Sequence, residues 1–311
     1  NPPAAASDVY RRQLPIWADR GLDAEGRFFE QLDFGGRPVV GQRRRTRVQA
    51  RQIYVFCEAT ALGWAGGRGP AQAGLDCLIA SGRRDDGLWI GATDDKGAVT
   101  DAAPDLYDLA FVLFALAAAH RVLGDPRARP LALQTLEAID REMTAPHGGW
   151  HEALPPRLPR RQNPHMHMLE AMLAWQATAA DPAFARAAGV SLDLCRNRFL
   201  VDGAIREYFG EDWRLDPHQG RVIEPGHLEE WAWLLRQART LDQAADDAAE
   251  ALHRRAMTQG RRDGFVIREI DPTGAPLDAG RRLWAQTEAA RTGLGFGDDG
   301  AVDLIDRILD T

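Results

Sequence analysis

Hydrophobic and polar positions alternate along this chain on two scales. On the short scale, five stretches pair aromatic or β-branched residues with a Gly-containing turn. They are Gly26-Arg27-Phe28-Phe29-Glu30, Gly87-Leu88-Trp89-Ile90, Gly149-Trp150-His151-Glu152, Ala204-Ile205-Arg206-Glu207-Tyr208 and Gly264-Phe265-Val266-Ile267-Arg268. Taking Phe28, Trp89, Trp150, Ile205 and Phe265 as anchors, the spacings are 61, 61, 55 and 60 residues. Further turn chemistry at Phe34-Gly35-Gly36, Asp94-Asp95-Lys96-Gly97 and Asp271-Pro272-Thr273-Gly274 predicts β-hairpins.

On the longer scale, each hairpin is followed by a helix that starts polar and turns apolar, beginning near Arg47, Pro104, Asn163, Glu224 and Arg282. The stretch Tyr107–Ala119 is apolar nearly all round, the pattern of a helix buried on every side. A second, amphipathic helix follows, as in Pro130–Met143, Pro182–Phe199 and Leu241–Gln259. The unit is hairpin, inner helix, outer helix, repeated five times. Such units predict an all-α fold, an (α/α)6 toroid with short β-hairpins on one rim and a pocket at the inner-helix starts. The helix Asp8–Asp19 reads as an outer helix without an inner partner. Set against a six-unit ring, one hairpin and one inner helix are wanting. Residues 1–311 are therefore expected to form a single α/α-barrel domain, incomplete at its C-terminus and close to inactive in this form.

Composition narrows the class. The 311 residues are 45% hydrophobic and 27% charged, with a formal charge of -7, so the chain is globular and carries no basic footprint for nucleic acid. The one basic run, Arg43-Arg44-Arg45 with Arg47, reads as local surface or ligand-pocket charge. No run of about 18 consecutive apolar residues occurs, so no membrane partner is expected. The three cysteines Cys57, Cys77 and Cys195 are far apart, which points to a reducing, cytoplasmic setting.

The unusual polar residues gather at the inner-helix starts. Asn163-Pro164 suits an N-cap and first helical residue, and Asn163, His167 and Glu170 share a helical face. His165 and His167 lie two apart and so point in nearly opposite directions, which argues against a shared metal ion. Glu224-Pro225-Gly226-His227-Leu228-Glu229-Glu230 is the strongest constellation. His227 and Glu230 are i,i+3, so Glu230 is expected to orient the imidazole and raise its basicity, as general acid–base chemistry requires. Gly226 is expected to permit close approach of a ligand or backbone. Arg47 and Arg51 give the first inner helix a cationic face that needs carboxylates or substrate oxygens. Tyr107 opens the second inner helix, and Trp284 and Gln286 stand at the start of the fifth.

Four motifs, in register from about residue 10 to the end, carry a resemblance. Val48-Gln49-Ala50-Arg51-Gln52, Asn163-Pro164-His165-Met166-His167, Glu224-Pro225-Gly226-His227 with Glu230-Trp231, and Arg282-Leu283-Trp284-Ala285-Gln286-Thr287-Glu288 together resemble the N-acylglucosamine 2-epimerase superfamily. The resemblance implies the (α/α)6 barrel and cofactor-free, metal-free proton transfer at C2 of an opened sugar through a cis-enediol. It makes His227 an acid/base group supported by Glu230. Arg51, Tyr107, Asn163, His167, Glu224 and Trp284 become substrate-binding residues. Two departures stand out: Tyr107-Asp108-Leu109 replaces the usual Tyr-Asp-His, and the second acid/base histidine would lie in the wanting helix. Three readings follow: a sugar isomerase or 2-epimerase acting on a small-molecule sugar, of the mannose–fructose type; a silent sugar-binding protein on the same scaffold; or an α/α-barrel glycoside hydrolase, which would need paired carboxylates.

Overall fold

The structure is a computed structural model that describes residues 12–243 and 245–309. Among these residues, eleven α-helices alternate with eleven strands of two or three residues. The chain forms two compact units. The first runs through Ala145 and adds Trp150–Arg157 and Glu170–Phe184; the second holds Pro146–Gly149, Leu158–Leu169 and the chain from Ala185 onward.

The first unit contains α1 (Leu14–Arg20), α2 (Thr46–Ala61), α3 (Arg68–Gly82), α4 (Leu106–Ala118), α5 (Ala128–Glu142) and the C-terminal half of α6 (Asn163–Ala179). The expected helix Asp8–Asp19 lies partly outside the described residues; what is described of it is α1. Helix α2 packs against its amphipathic partner α3 and against α4, and α4 packs against α5. Asp105 caps α4 by accepting the Tyr107 backbone N–H at 2.9 Å. With a π-turn at Ala119–Leu123, this helix is long and apolar enough to cross a bilayer, but 72% of it is buried inside the protein, as in a core helix. Trp175 of α6 donates its indole N–H to Leu113 O at 2.9 Å and stacks on Phe184.

The second unit contains the first turns of α6, most of α7 (Pro182–Leu194), then α8 (Pro225–Gln237), α9 (Ala245–Gln259), α10 (Leu283–Phe296) and α11 (Gly300–Leu309). Helix α8 packs against α9 and α10, and α10 against α11, repeating the pattern of the first unit.

The strands are β1 (Arg44–Arg45), β2 (Ala92–Thr93), β3 (Val99–Asp101), β4 (Arg160–Arg161), β5 (Leu200–Val201), β6 (Ala204–Ile205), β7 (Tyr208–Phe209), β8 (Arg261–Arg262), β9 (Phe265–Val266), β10 (Glu269–Ile270) and β11 (Pro276–Asp278). β1, β2 and β3 form one small sheet; β4–β7, β5–β6, β8–β9 and β10–β11 are antiparallel pairs. All five expected hairpins are present. Phe28, Trp89, Trp150 and Ile205 pair with Leu22, Arg83, Thr144 and Leu200. In the fifth, the fully buried anchor is Val266, paired with Arg261, and not its half-buried neighbour Phe265. Two residues before each true anchor stands a glycine at positive φ, Gly26, Gly87, Gly148, Gly203 and Gly264, a backbone state that other residues adopt only with strain. The longer turns follow a second rule: the side chains of Asp33, Asp94 and Asp271 accept backbone N–H groups two and four residues ahead.

In the first and fifth units the inner helix clamps the anchor. Gln49 of α2 accepts the Phe28 N–H and donates to its carbonyl, at 2.7 and 2.8 Å. Gln286 of α10 makes the same pair of bonds to Val266 at 2.8 Å each. Gln286 is thus a structural clamp.

Phe28 also packs into the α2–α3 interface, where Gly74 leaves it room: a Cβ on Gly74 would sit 2.4 Å from the Phe28 ring. Gly74→Val should therefore lower the unfolding free energy by about 1–3 kcal/mol. Urea denaturation checks this, and an unchanged midpoint would contradict the packing.

Candidate active site

The site in the second unit is assembled by a strand pairing and three helix starts. β4 pairs with β7, Arg160 opposite Phe209 and Arg161 opposite Tyr208, which sets Gln162 beside Glu207 just before α6 begins. The Gln162 backbone N–H then donates to Glu207 O at 3.3 Å. Helix α6 follows at Asn163, and α8 starts at Pro225, a residue suited to the first helical position. Trp284 comes from the first turn of α10.

His227 is the centre. Its Nδ1 lies 2.9 Å from Glu207 Oε2 and 3.9 Å from Glu224 Oε2. Its Nε2 lies 2.9 Å from the Asn163 side-chain amide. The imidazole ring stands 5.0 Å from the Trp284 ring. Glu207 Oε2 also accepts from Gln162 Nε2 at 2.9 Å, and Gln162 Oε1 accepts the Trp231 indole N–H at 2.6 Å. The orienting carboxylate is therefore Glu207, twenty residues away in sequence, and not Glu230 at i+3. Glu230 instead faces His167, with Oε1 3.7 Å from Nδ1. The reason is helix geometry: α8 carries Glu230 to one side of His227, while the β4–β7 pairing delivers a fixed carboxylate straight onto Nδ1.

Burial drives the His227 pKa down, but the charge and hydrogen bond of Glu207, with Glu224 and Glu230 beyond, outweigh it and push the value up to about 10. Glu224 is shifted upward, first by its own burial, against the pull of His227. The Asn163 amide suits either state of the ring. Neutral His227, with its proton on Nδ1, takes the amide N–H at Nε2. The imidazolium needs an acceptor there, and Asn163 Oδ1, buried and unpartnered among the described residues, becomes one when the amide turns over. An imidazole supported in both protonation states can take a proton and return it.

Other expectations sort as follows. His165 is fully buried against Trp213 and Phe199, and burial with the nearby Arg160 charge holds its pKa down to about 3. His165 and His167 do diverge. Gly226 permits close approach, but of α10: a Cβ there would meet Trp284 at 2.7 Å and Ala285 at 2.8 Å. Glu207, Glu224 and His227 each place a ligand atom within 4.8 Å of the others, a set that a divalent cation could use. Asn163, His167, Glu224, His227, Glu230 and Trp284 are thus brought together in one unit. Arg51 and Tyr107 belong to the other unit, where Arg51 Nη2 donates to the Tyr107 hydroxyl at 2.9 Å and the guanidinium lies over Phe111. Arg47 pairs with buried Asp108, whose carboxyl burial lifts to about 7 against the Arg47 charge. Two more arginines of the basic run are likewise matched, Arg44 to Asp23 and Arg45 to Glu30, both at 2.5 Å.

Sequence reasoning missed Glu207, Gln162 and Asp108. The signal for Glu207 was a carboxylate between Ile205 and Phe209 in a segment bound for the interior, where an acid needs a partner.

Comparison with known proteins finds relatives of this chain along most of its length. The family model for N-acylglucosamine 2-epimerase (GlcNAc 2-epimerase) matches residues 27–300. A mannose-6-phosphate isomerase of Rhizobium meliloti (strain 1021) is 35% identical over 300 residues, covering 91% of this chain and 76% of the relative. A D-mannose isomerase of Thermobifida fusca is 30% identical over 308 residues, covering 86% and 72%. A crystal structure of a D-mannose isomerase matches with a TM-score of 0.87 at 20% identity, over 99% of this chain and 85% of that one. These likenesses show the fold class, the all-α (α/α)6 barrel.

The raised pKa of His227 has a sign that can be tested. A histidine whose folded value exceeds its unfolded value near 6.5 adds stability below that pH and loses it as pH rises through about 10. Glu207→Gln removes the main raising charge, so its stability deficit should be full near pH 6 and shrink towards pH 10. Denaturant melts across that range check it; a deficit independent of pH would contradict the pairing.

Proposed function

The chain belongs to the N-acylglucosamine 2-epimerase family and is a sugar isomerase or epimerase, and within that class we propose that it interconverts mannose-type aldoses and ketoses by proton transfer at C2. The observation that carries the proposal is His227, held between Glu207 and Asn163 with Trp284 against it. In the opened aldose, the neutral form of His227, whose share grows as pH rises towards about 10, takes the C2 proton at Nε2. The C–H electron pair forms the C1–C2 double bond, and the carbonyl electrons move to O1, which is protonated to complete a cis-enediol. Loss of the O2 proton then makes C2 the carbonyl, and the proton held by His227 goes to C1, giving the ketose. Return of a proton to the opposite face of C2 would give the epimer instead.

The remaining roles follow from chemistry. His167 with Glu230 is assigned proton movement at the sugar hydroxyls, since that pair is buried together. Asn163 and Glu224 bind hydroxyls near C2, and Trp284 offers a flat apolar face to the ring carbons. In the other unit, the Arg51–Tyr107 pair presents a guanidinium steadied by a phenol, an arrangement suited to an oxygen that carries negative charge. The D-mannose and mannose-6-phosphate relatives support a mannose substrate. Because Arg44, Arg45 and Arg47 each already hold a carboxylate, three of the four arginines of that run are committed, which favours the unphosphorylated hexose.

His227→Ala should lower kcat/KM for mannose by about 10²–10⁴-fold with the circular dichroism unchanged. Wild-type turnover of mannose should exceed that of mannose 6-phosphate and survive EDTA. Loss of activity on chelation would instead assign the Glu207–Glu224–His227 set to a metal. Hydrolysis of an oligosaccharide, abolished by Glu224→Gln, would overturn the isomerase reading in favour of a glycosidase.

A further inference from the structure

Two groups that never reach the imidazole decide how it is polarised. The indole N–H of Trp231 can only donate. Its 2.6 Å bond to Gln162 Oε1 therefore fixes that amide, with the NH2 end facing Glu207 Oε2 at 2.9 Å. A carboxylate oxygen that already accepts from Gln162, and faces His227 Nδ1 at 2.9 Å, has to accept there as well. The proton on Nδ1 is thereby retained, and Nε2 is left to exchange. Trp231 and Gln162 are fully buried and Glu207 and His227 nearly so, so water does not compete for these bonds.

We propose that Trp231 and Gln162 are positioning residues that set the tautomer of His227 through a one-way chain of hydrogen bonds ending at Glu207. Without the indole donor, Gln162 is free to rotate. Its carbonyl oxygen would then oppose the Glu207 carboxylate, Glu207 would turn or take up a proton, and the tautomer protonated at Nε2 would become accessible. That form has its lone pair on the wrong nitrogen. The inference rests on the reading of His227 as the proton-transfer group, but its main test needs no substrate.

Trp231→Phe keeps most of the ring volume and removes the donor; Gln162→Leu breaks the next link. In protein labelled at the histidine ring nitrogens and held just above pH 10, where His227 is neutral, the wild type should show a proton-bearing Nδ1 and a bare or exchanging Nε2. Both variants should show averaged or exchanged nitrogen shifts for His227. With mannose, kcat should fall by about tenfold while KM changes by less than about twofold, the signature of a displaced proton-transfer group. Wild-type nitrogen shifts in both variants, with only a lowered melting temperature, would overturn the proposal and leave the chain a structural network. If Trp231→Phe does not fold, Gln162→Leu carries the same readout. If the shifts change but no isomerase activity exists in the wild type, the tautomer relay stands and the functional reading falls.

Discussion

One carboxylate governs the site. A buried imidazole cannot carry charge without an anion beside it, because burial alone penalises the protonated form. Glu207 removes that penalty at 2.9 Å, and so allows His227 to be both nearly buried and basic. The carboxylate is buried too and needs its own donors, which Gln162 and the imidazole supply. Gln162 in turn is fixed by Trp231. Both donors fall on Glu207 Oε2 while Oε1 is buried without a hydrogen-bond partner among the described residues, so the carboxylate depends on these two bonds and losing either costs stability.

The scaffold makes this possible by repetition. A glycine at positive φ starts each hairpin, a buried residue two places on anchors it, and an inner helix follows. In the first and fifth units the inner helix spends a glutamine on clamping the anchor backbone. In the fourth, the equivalent hairpin continues into β7, and its extra pairing with β4 carries Glu207 to the head of α8. The special chemistry thus arises where one repeat departs from its siblings.

Much of this was legible in the sequence. The five-fold grammar, the starts of α2, α4, α6, α8 and α10, and the paired divergence of His165 and His167 follow from periodicity and turn chemistry, which are local. His227 stands out in the sequence because it follows Gly226 at a helix start and has Glu230 at helical spacing. What local reasoning could not reach was pairing between distant segments. Glu230 looked like the partner of His227 because i,i+3 contacts are the ones a sequence displays; Glu207 won because β4–β7 register places it. Aromaticity points to Phe265 as the fifth anchor, whereas the backbone turns on Gly264 and buries Val266. Gln286 looked like a site residue because polarity at a helix start has two uses, binding substrate and satisfying backbone, and only packing tells them apart.

The central claim is that His227 moves a proton, not a hydride, at C2. The most direct measurement is conversion of mannose in D2O, followed by NMR of the ketose and of the recovered aldose. Exchange of the proton held on His227 with solvent should place deuterium at C1 of the fructose formed, and at C2 of returned mannose. Retention of the original C2 hydrogen at C1 to the same extent in the wild type and in the residual turnover of His227→Ala, with no deuterium in recovered mannose, would show hydrogen moving between the carbons without His227 and would contradict the account.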